Sequence, residues 1–251
     1  MSSKINRLLQ QWPPGTVGTS RWLRSRGVDH RLADKYVHSG WLERLGHGAY
    51  KRTGAVVDWA GAVHSLQAQL ALNLHPGAMT AIELRGYSHY VAFGQREVVL
   101  FGKPGTKLPA WFEARPWSRP VTLVTTGVFP GIDWAESKFQ VNEIELDVAT
   151  LEQAVFEMMY LVPKRQSHEE AVQVMGSLTS LRPQVLQQLL ENCTSVKTKR
   201  LFMHAAEGTN HAWLKHLDLS KVDFGSGRRT IHAGGHLNKK YDLVVADPLQ
   251  S

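Results

Sequence analysis

Hydrophobic residues in the N-terminal part of the chain recur at helical spacing and are interrupted by proline or glycine. The first such segment covers residues 3–12, and its apolar positions are Ile5, Leu8, Leu9 and Trp12. Recurrence every three to four residues predicts an amphipathic helix. Pro13-Pro14-Gly15 follows directly. Because proline cannot continue a helix, the pattern places the end of this helix there.

Two more helices are predicted on either side of Gly27. The first covers residues 20–26, with Thr19 as its N-cap, because a hydroxyl can accept a hydrogen bond from an unpaired first-turn amide. Gly27 permits a sharp turn at positive φ. The second helix covers residues 30–39 after Asp29, and one stripe of it is apolar: Leu32, Ala33, Tyr36 and Val37.

A β-hairpin is predicted after the second of these helices. Strand-like runs at 41–45 and 49–52 flank the turn Gly46-His47-Gly48. The order helix, tight turn, helix and hairpin is typical of a winged helix-turn-helix. The sequence therefore predicts a DNA-binding module of this type over residues 1–54. Winged helices also serve as protein-interaction modules, which is the alternative interpretation.

The rest of the chain predicts an α+β fold. Helical patterns at 58–73 and 79–86 form a predicted bridge over residues 55–90. Strand-like runs follow at 98–101, 121–125 and 139–146. Helical patterns return from 150 to the residue before Pro163, and again at 168–178, 183–192, 196–207 and 213–217, before short strands at 229–232 and 241–245. The expected architecture is a winged helix-turn-helix joined to a larger mixed α/β C-terminal domain over residues 91–251.

Charge is distributed unevenly along this pattern. The chain has 29 Lys and Arg against 22 Asp and Glu, a net charge of +7. Residues 1–54 hold ten of the basic and three of the acidic residues, so the whole excess lies in the predicted winged helix. Concentration of basic charge in a helix-turn-helix favours binding of a polyanion.

The predicted contacts with DNA follow from the helical face opposite the apolar stripe. Residues on that face of the second helix are expected to read base edges in the major groove: His30, Arg31, Lys35 and His38. Residues at the helix ends and on the hairpin are expected to hold phosphates: Thr19, Arg21, Arg24, Arg44, Lys51 and Arg52.

A second basic cluster lies near the C-terminus. Residues 195–240 hold nine Lys or Arg against three Asp or Glu. Five of the basic residues would form an additional surface for a polyanion or a partner: Lys197, Lys199, Arg200, Arg228 and Arg229.

The sequence contains few of the motifs that indicate a catalytic site. It contains no phosphate-binding Gly-x-x-x-x-Gly-Lys-Ser/Thr loop and no Gly-x-Ser-x-Gly elbow. Glu143, Glu145 and Asp147 alternate along a predicted strand, which would align three carboxylates for a divalent metal, although a solvent-facing sheet edge explains the pattern more simply. We therefore expect no catalytic residue, no metal site and no cofactor.

Composition and cysteine usage indicate a cytoplasmic globular protein. The hydrophobic share of 43% and the charged share of 20% are those of a folded domain. No apolar run is long enough to span a membrane, and the N-terminus lacks the apolar core of a secretory signal. The single cysteine, Cys193, excludes an internal disulfide.

Three motifs stand out in the C-terminal part: Leu178-Thr179-Ser180-Leu181-Arg182-Pro183, Ser195-Val196-Lys197-Thr198-Lys199-Arg200-Leu201-Phe202 and Leu219-Ser220-Lys221-Val222-Asp223-Phe224-Gly225-Ser226-Gly227. They resemble motifs of the AbiEi-type antitoxins of type IV toxin–antitoxin systems. The N-terminal segment 4–52 is similar to the winged helix of the same family. This resemblance implies an autorepressor that binds inverted repeats in the promoter of its own operon. It also implies an antitoxin that counteracts a nucleotidyltransferase-like toxin without requiring a stable complex.

Two other functions remain open from the sequence. The chain would act as a stand-alone winged-helix repressor if its middle part binds a small regulatory ligand. It would act as a metal-dependent nuclease if Glu143, Glu145 or Asp147 holds a metal ion.

Overall fold

The computed structural model describes residues 3–87, 96–130 and 137–246. The helices are, in chain order, α1 Lys4–Gln11, α2 Ser20–Ser25, α3 His30–His38, α4 Trp59–Ala68, α5 Ala78–Leu84, α6 Ala110–Glu113, α7 Leu151–Leu161, α8 His168–Ser177, α9 Pro183–Asn192 and α10 Val196–Glu207. The strands are β1 Gly18–Thr19, β2 Leu42–Gly46, β3 Ala49–Arg52, β4 Leu74–Pro76, β5 Val98–Gly102, β6 Val121–Thr125, β7 Lys138–Val141, β8 Ile144–Asp147, β9 Arg229–Thr230, β10 His236–Asn238 and β11 Leu243–Val245. The predicted α+β class is confirmed.

The chain forms two compact units that alternate along the sequence. Unit 1 comprises the described residues within 1–75, 95–125 and 138–147, and unit 2 those within 76–94, 126–137 and 148–251. The two helices of the predicted bridge thus belong to different units, α4 to unit 1 and α5 to unit 2. The boundaries proposed from the sequence at 54 and 90 stay a prediction.

The first part of unit 1, residues 3–54, is called the head. It has the order α1, β1, α2, α3, β2, β3, and its sheet has the order β1-β3-β2 with antiparallel pairing. This is the winged helix-turn-helix topology expected from the sequence. Strand β1 was not predicted, because two residues are too few to show a hydrophobic period.

The head has its own hydrophobic core. One face of each of its helices packs against the sheet, and the buried residues are Ile5, Leu8, Trp12, Leu23, Val28, Ala33, Leu42 and Tyr50. The rings of Trp12 and Trp22 meet edge to face with centroids 5.2 Å apart. The apolar stripe predicted for α3 lies on this core, so the opposite face of α3 is free to point outward.

Helix α4 is attached closely to the head. The hydroxyl of Ser65 donates to Val17 O at 2.8 Å and accepts from Val17 N at 3.0 Å. Gln69 continues this pairing, since its carboxamide accepts from Thr19 N at 2.8 Å and donates to Val17 O at 2.6 Å. Gly61 lets the helix backbone approach Gly15: a Cβ added at Gly61 would lie 1.8 Å from the Gly15 carbonyl oxygen. The helix ends earlier than predicted, at Ala68, and Ala71 then adopts a positive φ that turns the chain toward β4.

The remainder of unit 1 contains two small sheets. Strands β4, β5 and β6 form one sheet in that order, with β5 and β6 parallel. Strands β7 and β8 form an antiparallel hairpin. The single strand predicted at 139–146 is therefore wrong. Asn142 and Glu143 both have positive φ and form its turn, and Asn-Glu lacks the glycine that normally marks such a turn in a sequence.

Unit 2 is built around helix α7, most of which is buried. Phe156 of α7 stacks on Phe202 of α10 with ring centroids 4.3 Å apart. Thr150 caps α7, since its hydroxyl accepts from Gln153 N at 3.4 Å. The buried Glu157 carboxylate accepts hydrogen bonds from Ala78 N and the Gln153 side chain. The last three strands form a small sheet in the order β10-β11-β9. In the described part of the chain, no helix is both long and apolar enough to cross a membrane.

Candidate nucleic-acid interface

The helix-turn-helix is fixed by capping residues at each junction. The Thr19 hydroxyl accepts from Trp22 N at 3.2 Å and starts α2. Gly27 has a φ of +75° and makes the turn, after which Val28 N donates to Leu23 O at 2.8 Å. The Asp29 carboxylate then accepts from Leu32 N at 2.8 Å and starts α3. These local bonds set the direction in which α3 presents its outer face.

That outer face carries the four residues predicted to read bases. His30, Arg31, Lys35 and His38 are all exposed. Within the described residues, neither Arg31 nor Lys35 forms a salt bridge. Their charges are therefore uncompensated and available to an external anion.

The two histidines of this face are held by Asp34, which lies between them on α3. His30 Nδ1 is 3.2 Å from the Asp34 carboxylate, and His38 Nδ1 is 2.8 Å from the Asp34 backbone oxygen. Because a carbonyl oxygen only accepts, the His38 Nδ1 must carry the proton in that contact. The neutral ring then presents Nε2 as an acceptor, which suits the amino group of adenine or cytosine in the major groove.

The predicted phosphate contacts divide into two groups. Arg21 and Arg24 on α2 are exposed and form no salt bridge within the described chain. On the hairpin, by contrast, each basic residue already has an internal partner. Arg44 pairs with the Asp34 carboxylate and lies over the Tyr50 ring, with its guanidinium carbon 5.5 Å from the ring centroid. Arg52 donates to the Leu9 backbone oxygen of α1.

Lys51 is also engaged, in the cross-strand pair of the wing. It stands opposite Glu43 in the register of β2 and β3, and its ammonium is 3.0 Å from the Glu43 carboxylate. The Gly54 amide, together with this ammonium, holds the pKa of Glu43 below its ordinary value. Arg44 and Arg52 thus fasten the wing to α3 and α1, and Lys51 joins the two strands of the wing. Arg21 and Arg24 are therefore the stronger candidates for phosphate contact.

Thr19 requires a correction. Only 2% of this residue is exposed, and its hydroxyl caps α2 while its amide donates to Gln69. It has no surface to offer a phosphate, so its predicted DNA contact is wrong. The capping role predicted for the same residue is confirmed.

The predicted second basic surface is also mostly wrong. Lys199 and Arg200 are each 4% exposed. The Lys197 ammonium donates to the backbone oxygens of Tyr160 and Val162, and burial lowers its pKa. Arg228 is paired with the Asp242 carboxylate at 3.2 Å. Arg228 nevertheless stays exposed, whereas Arg229 is half-buried and donates to two nearby backbone oxygens.

Arg200 instead organises the last motif of the C-terminal part. Its guanidinium donates to the backbone oxygens of Phe224, Gly225 and Gly227 at 2.8–3.0 Å. Two motifs that are distant in sequence, at 195–202 and 219–227, therefore form one contact. A buried arginine that satisfies loop carbonyls has the same sequence signal as an exposed one, which is why charge counting misassigned it.

The predicted strand of carboxylates does not form a metal site. Glu143 lies in the turn of the β7–β8 hairpin, and the Asp147 carboxylate is 2.6 Å from the Lys138 ammonium. Across the described ranges, no cluster of three or more His, Cys, Asp or Glu residues is arranged to hold a metal ion. The structure gives the nuclease alternative no support.

A group of histidines in unit 2 gives the folded chain a sensitivity to acid. His168 begins α8, and its ring stacks on that of His204 with centroids 5.7 Å apart. Asn238 lies 2.9 Å from His204 Nδ1. Burial, and after it the neighbouring His204, His236 and His232, lowers the pKa of His168 to about 4. The folded chain therefore resists protonation that an unfolded histidine accepts at about pH 6.5.

We expect the thermal unfolding temperature to fall as the pH drops from about 6.5 to about 4. In that window the unfolded chain binds more protons than the folded one, so acid favours unfolding. The His168→Gln variant should show a shallower dependence in scanning calorimetry over the same range. His216→Gln is the control, because His216 is exposed and should leave the profile unchanged. Identical profiles for wild type and His168→Gln would contradict this assignment.

The geometry of the head is that of the winged-helix proteins, a class that includes transcriptional regulators. Family profiles agree with that class over nearly the whole chain. Residues 1–93 match the profile described as "Transcriptional regulator, AbiEi antitoxin N-terminal domain", and residues 95–246 match "Transcriptional regulator, AbiEi antitoxin, Type IV TA system". The chain belongs to the AbiEi antitoxin family of type IV toxin–antitoxin systems. The resemblance inferred from the sequence is confirmed.

A solved structure supports the fold at low sequence identity. The chain is similar to the crystal structure of the RV2827C protein from Mycobacterium tuberculosis, with a TM-score of 0.62 and 15% identity. The similarity covers 95% of this chain and 88% of the other. A search of curated proteins found no match.

Proposed function

We propose that the head binds inverted repeats in the promoter of its own operon and represses transcription. The observation that carries this proposal is a set of exposed cations on α2 and α3 that form no salt bridge within the described residues: Arg21, Arg24, Arg31 and Lys35. In helix-turn-helix proteins the second helix enters the major groove and the preceding helix crosses the backbone. Under that geometry, Arg31 and Lys35 contact bases, together with His30 and His38, while Arg21 and Arg24 contact phosphates.

We further propose that the C-terminal part, without catalysing a reaction itself, counteracts a nucleotidyltransferase-like toxin. Family membership supports this assignment, and the absence of a metal cluster in the described chain is compatible with it. The antagonism acts in the cytoplasm and does not depend on a stable complex with the toxin. Co-expression with the toxin of the neighbouring gene tests the separation of roles. Variants of Arg31 and Lys35 should lose repression and keep protection.

The salt dependence of operator binding tests the proposed phosphate contacts. The logarithm of the association constant falls with the logarithm of salt concentration by about 0.9 per neutralised phosphate. We expect the Arg21→Ala/Arg24→Ala variant to reduce that slope by about two, since each lost phosphate contact removes about one. Fluorescence anisotropy at several salt concentrations, with the promoter region as labelled DNA, measures the slope.

Lys215→Ala/Lys239→Ala provides the matched control. It removes the same charge from exposed positions in unit 2. A slope that is equal in the α2 variant and wild type would remove α2 from the interface. A slope that decreases equally in the control would show that the effect comes from net charge alone.

A further inference from the structure

Strand β6 of unit 1 is the terminal strand of its sheet as far as the described residues show. Its only neighbour among the described residues is β5, because the sheet has the order β4-β5-β6. Val98 N donates to Pro120 O at 2.7 Å, and Val98 is opposite Val121 in the register. Parallel strands bond through alternate residues. Thr122 and Val124 therefore face β5, and the peptide groups of Val121, Leu123 and Thr125 point away from it.

A cleft of about 890 Å³ is lined in part by this strand. Its lining includes Thr122 together with Val121, Leu123 and Thr125, the three residues whose peptide groups point away from β5. The described chain supplies no hydrogen-bond partner for the outward peptide groups of these three residues. The volume lies within the range of about 300–1,000 Å³ that is typical of binding sites.

Within the described residues, the strand also lacks the usual protection of an edge. Natural edge strands carry charged side chains, proline or a bulge, or they are covered by another segment. The sequence of β6 is Val-Thr-Leu-Val-Thr, paired in regular register with β5 over its full length. An uncharged, regular, five-residue edge is suited to pairing with a further strand.

The charge around the cleft selects the partner. Lys107, Arg115 and Arg119 line it, against a single acidic residue, Glu113. Within the described residues Lys107 and Arg115 form no salt bridge, and Arg115 lies over Trp117 with its guanidinium carbon 5.9 Å from the ring centroid. Basic side chains beside a pairing edge favour an acidic occupant.

We propose that β6 accepts an extended, acidic segment of a partner protein as an additional strand. The backbone of the segment would pair with Val121, Leu123 and Thr125, and its carboxylates would reach Lys107 and Arg115. Main-chain pairing of this kind gives affinity, while side chains beside the strand give specificity. None of the residues that line the cleft lies on α2 or α3, so the proposal does not rest on the DNA contacts of these two helices.

A blocked peptide of alternating glutamate and valine, about six residues long to cover β6, is the probe. Titrated into the full chain labelled with ¹⁵N, it should shift the amide resonances of Val121, Leu123 and Thr125 more than those of Thr122 and Val124. The same peptide with alternate N-methylated amides should bind about tenfold more weakly, because it loses backbone donors. A peptide with lysine in place of glutamate should not bind.

Two variants separate backbone pairing from charge. Leu123→Pro removes an outward amide at a position where no hydrogen bond to β5 is lost. This variant should weaken binding of the acidic peptide about tenfold. Lys107→Glu should also weaken it, whereas Lys239→Glu, an exposed charge in unit 2, should not. Retained operator binding by each variant shows that the chain is folded.

Three results would overturn the proposal. Equal binding of the N-methylated and unmodified peptides would show that the cleft recognises charge without pairing. The same amide shifts produced by inorganic phosphate alone would assign the cleft to a small anion. Absence of any shift with the acidic peptide, in a chain that still binds operator DNA, would show that the edge is closed to a strand.

Discussion

Replacement of Arg31 and Lys35 together by alanine is expected to weaken operator binding by about 1–3 kcal/mol for each lost base contact. Both side chains lie on the outer face of α3 and contribute no internal salt bridge in the described chain. Alanine has the highest helix propensity, so α3 should persist in the variant. The loss would then report DNA contacts and not unfolding. Anisotropy titration at fixed salt, with unchanged thermal unfolding as a check, measures it.

Base contact and phosphate contact can be separated within the same experiment. If Arg31 and Lys35 read bases, the double variant should lose discrimination between the operator and a scrambled duplex. If they hold phosphates, affinity should fall equally for both duplexes. Lys215→Ala/Lys239→Ala again serves as the control for net charge. Unchanged operator affinity in the α3 variant would remove α3 from the recognition role.

Replacement of Gly61 by alanine is expected to destabilise the protein by about 1–3 kcal/mol or more. The added Cβ would lie 1.8 Å from the Gly15 backbone oxygen, so α4 or the segment before β1 must shift. Such a shift would strain the bonds of Ser65 to Val17. For a chain of this size, each kcal/mol corresponds to about 2–4 °C in the unfolding temperature. Scanning calorimetry measures the difference.

Gly176→Ala is the matched control, because Gly176 also lies inside a helix, α8. A Cβ at Gly176 would meet nothing within 4 Å. Since alanine is favoured over glycine in a helix by about 0.8–1.0 kcal/mol, this variant should be neutral or more stable than wild type. If both variants have the same unfolding temperature, the close approach of α4 to Gly15 does not contribute to the stability of the fold.

Most elements of the head were predictable because their signals are local. Thr19 and Asp29 are capping residues, Gly27 marks the turn, and the stripe of α3 has a clear helical period. The Asn142–Glu143 turn was missed, since asparagine and glutamate are less typical of positive φ than glycine is. Interpreted as one strand, the segment seemed to align three carboxylates, whereas Glu143 lies in the turn and Glu145 and Asp147 both approach the Lys138 ammonium.

The candidate site was predictable only in part. The sequence places Arg31 and Lys35 on an outer face, because helical spacing determines which side is apolar. It does not show that Arg44 pairs with Asp34, since these two residues meet only when the wing folds beside α3. The same reason applies to Arg200, whose partners are about 24–27 positions away and are backbone oxygens.

By itself, the sequence determined the winged helix, the α+β class, the family and the concentration of positive charge in the first 54 residues. These properties depend on spacing, capping and composition, which are local or additive along the chain. Only the tertiary structure decided which cations remain available. Burial and pairing depend on neighbours that are distant in sequence, so Arg21, Arg24, Arg31 and Lys35 stay exposed, while Arg52 and Arg200 are used internally. The position of β6 at the end of its sheet likewise depends on which strands pair in the folded chain.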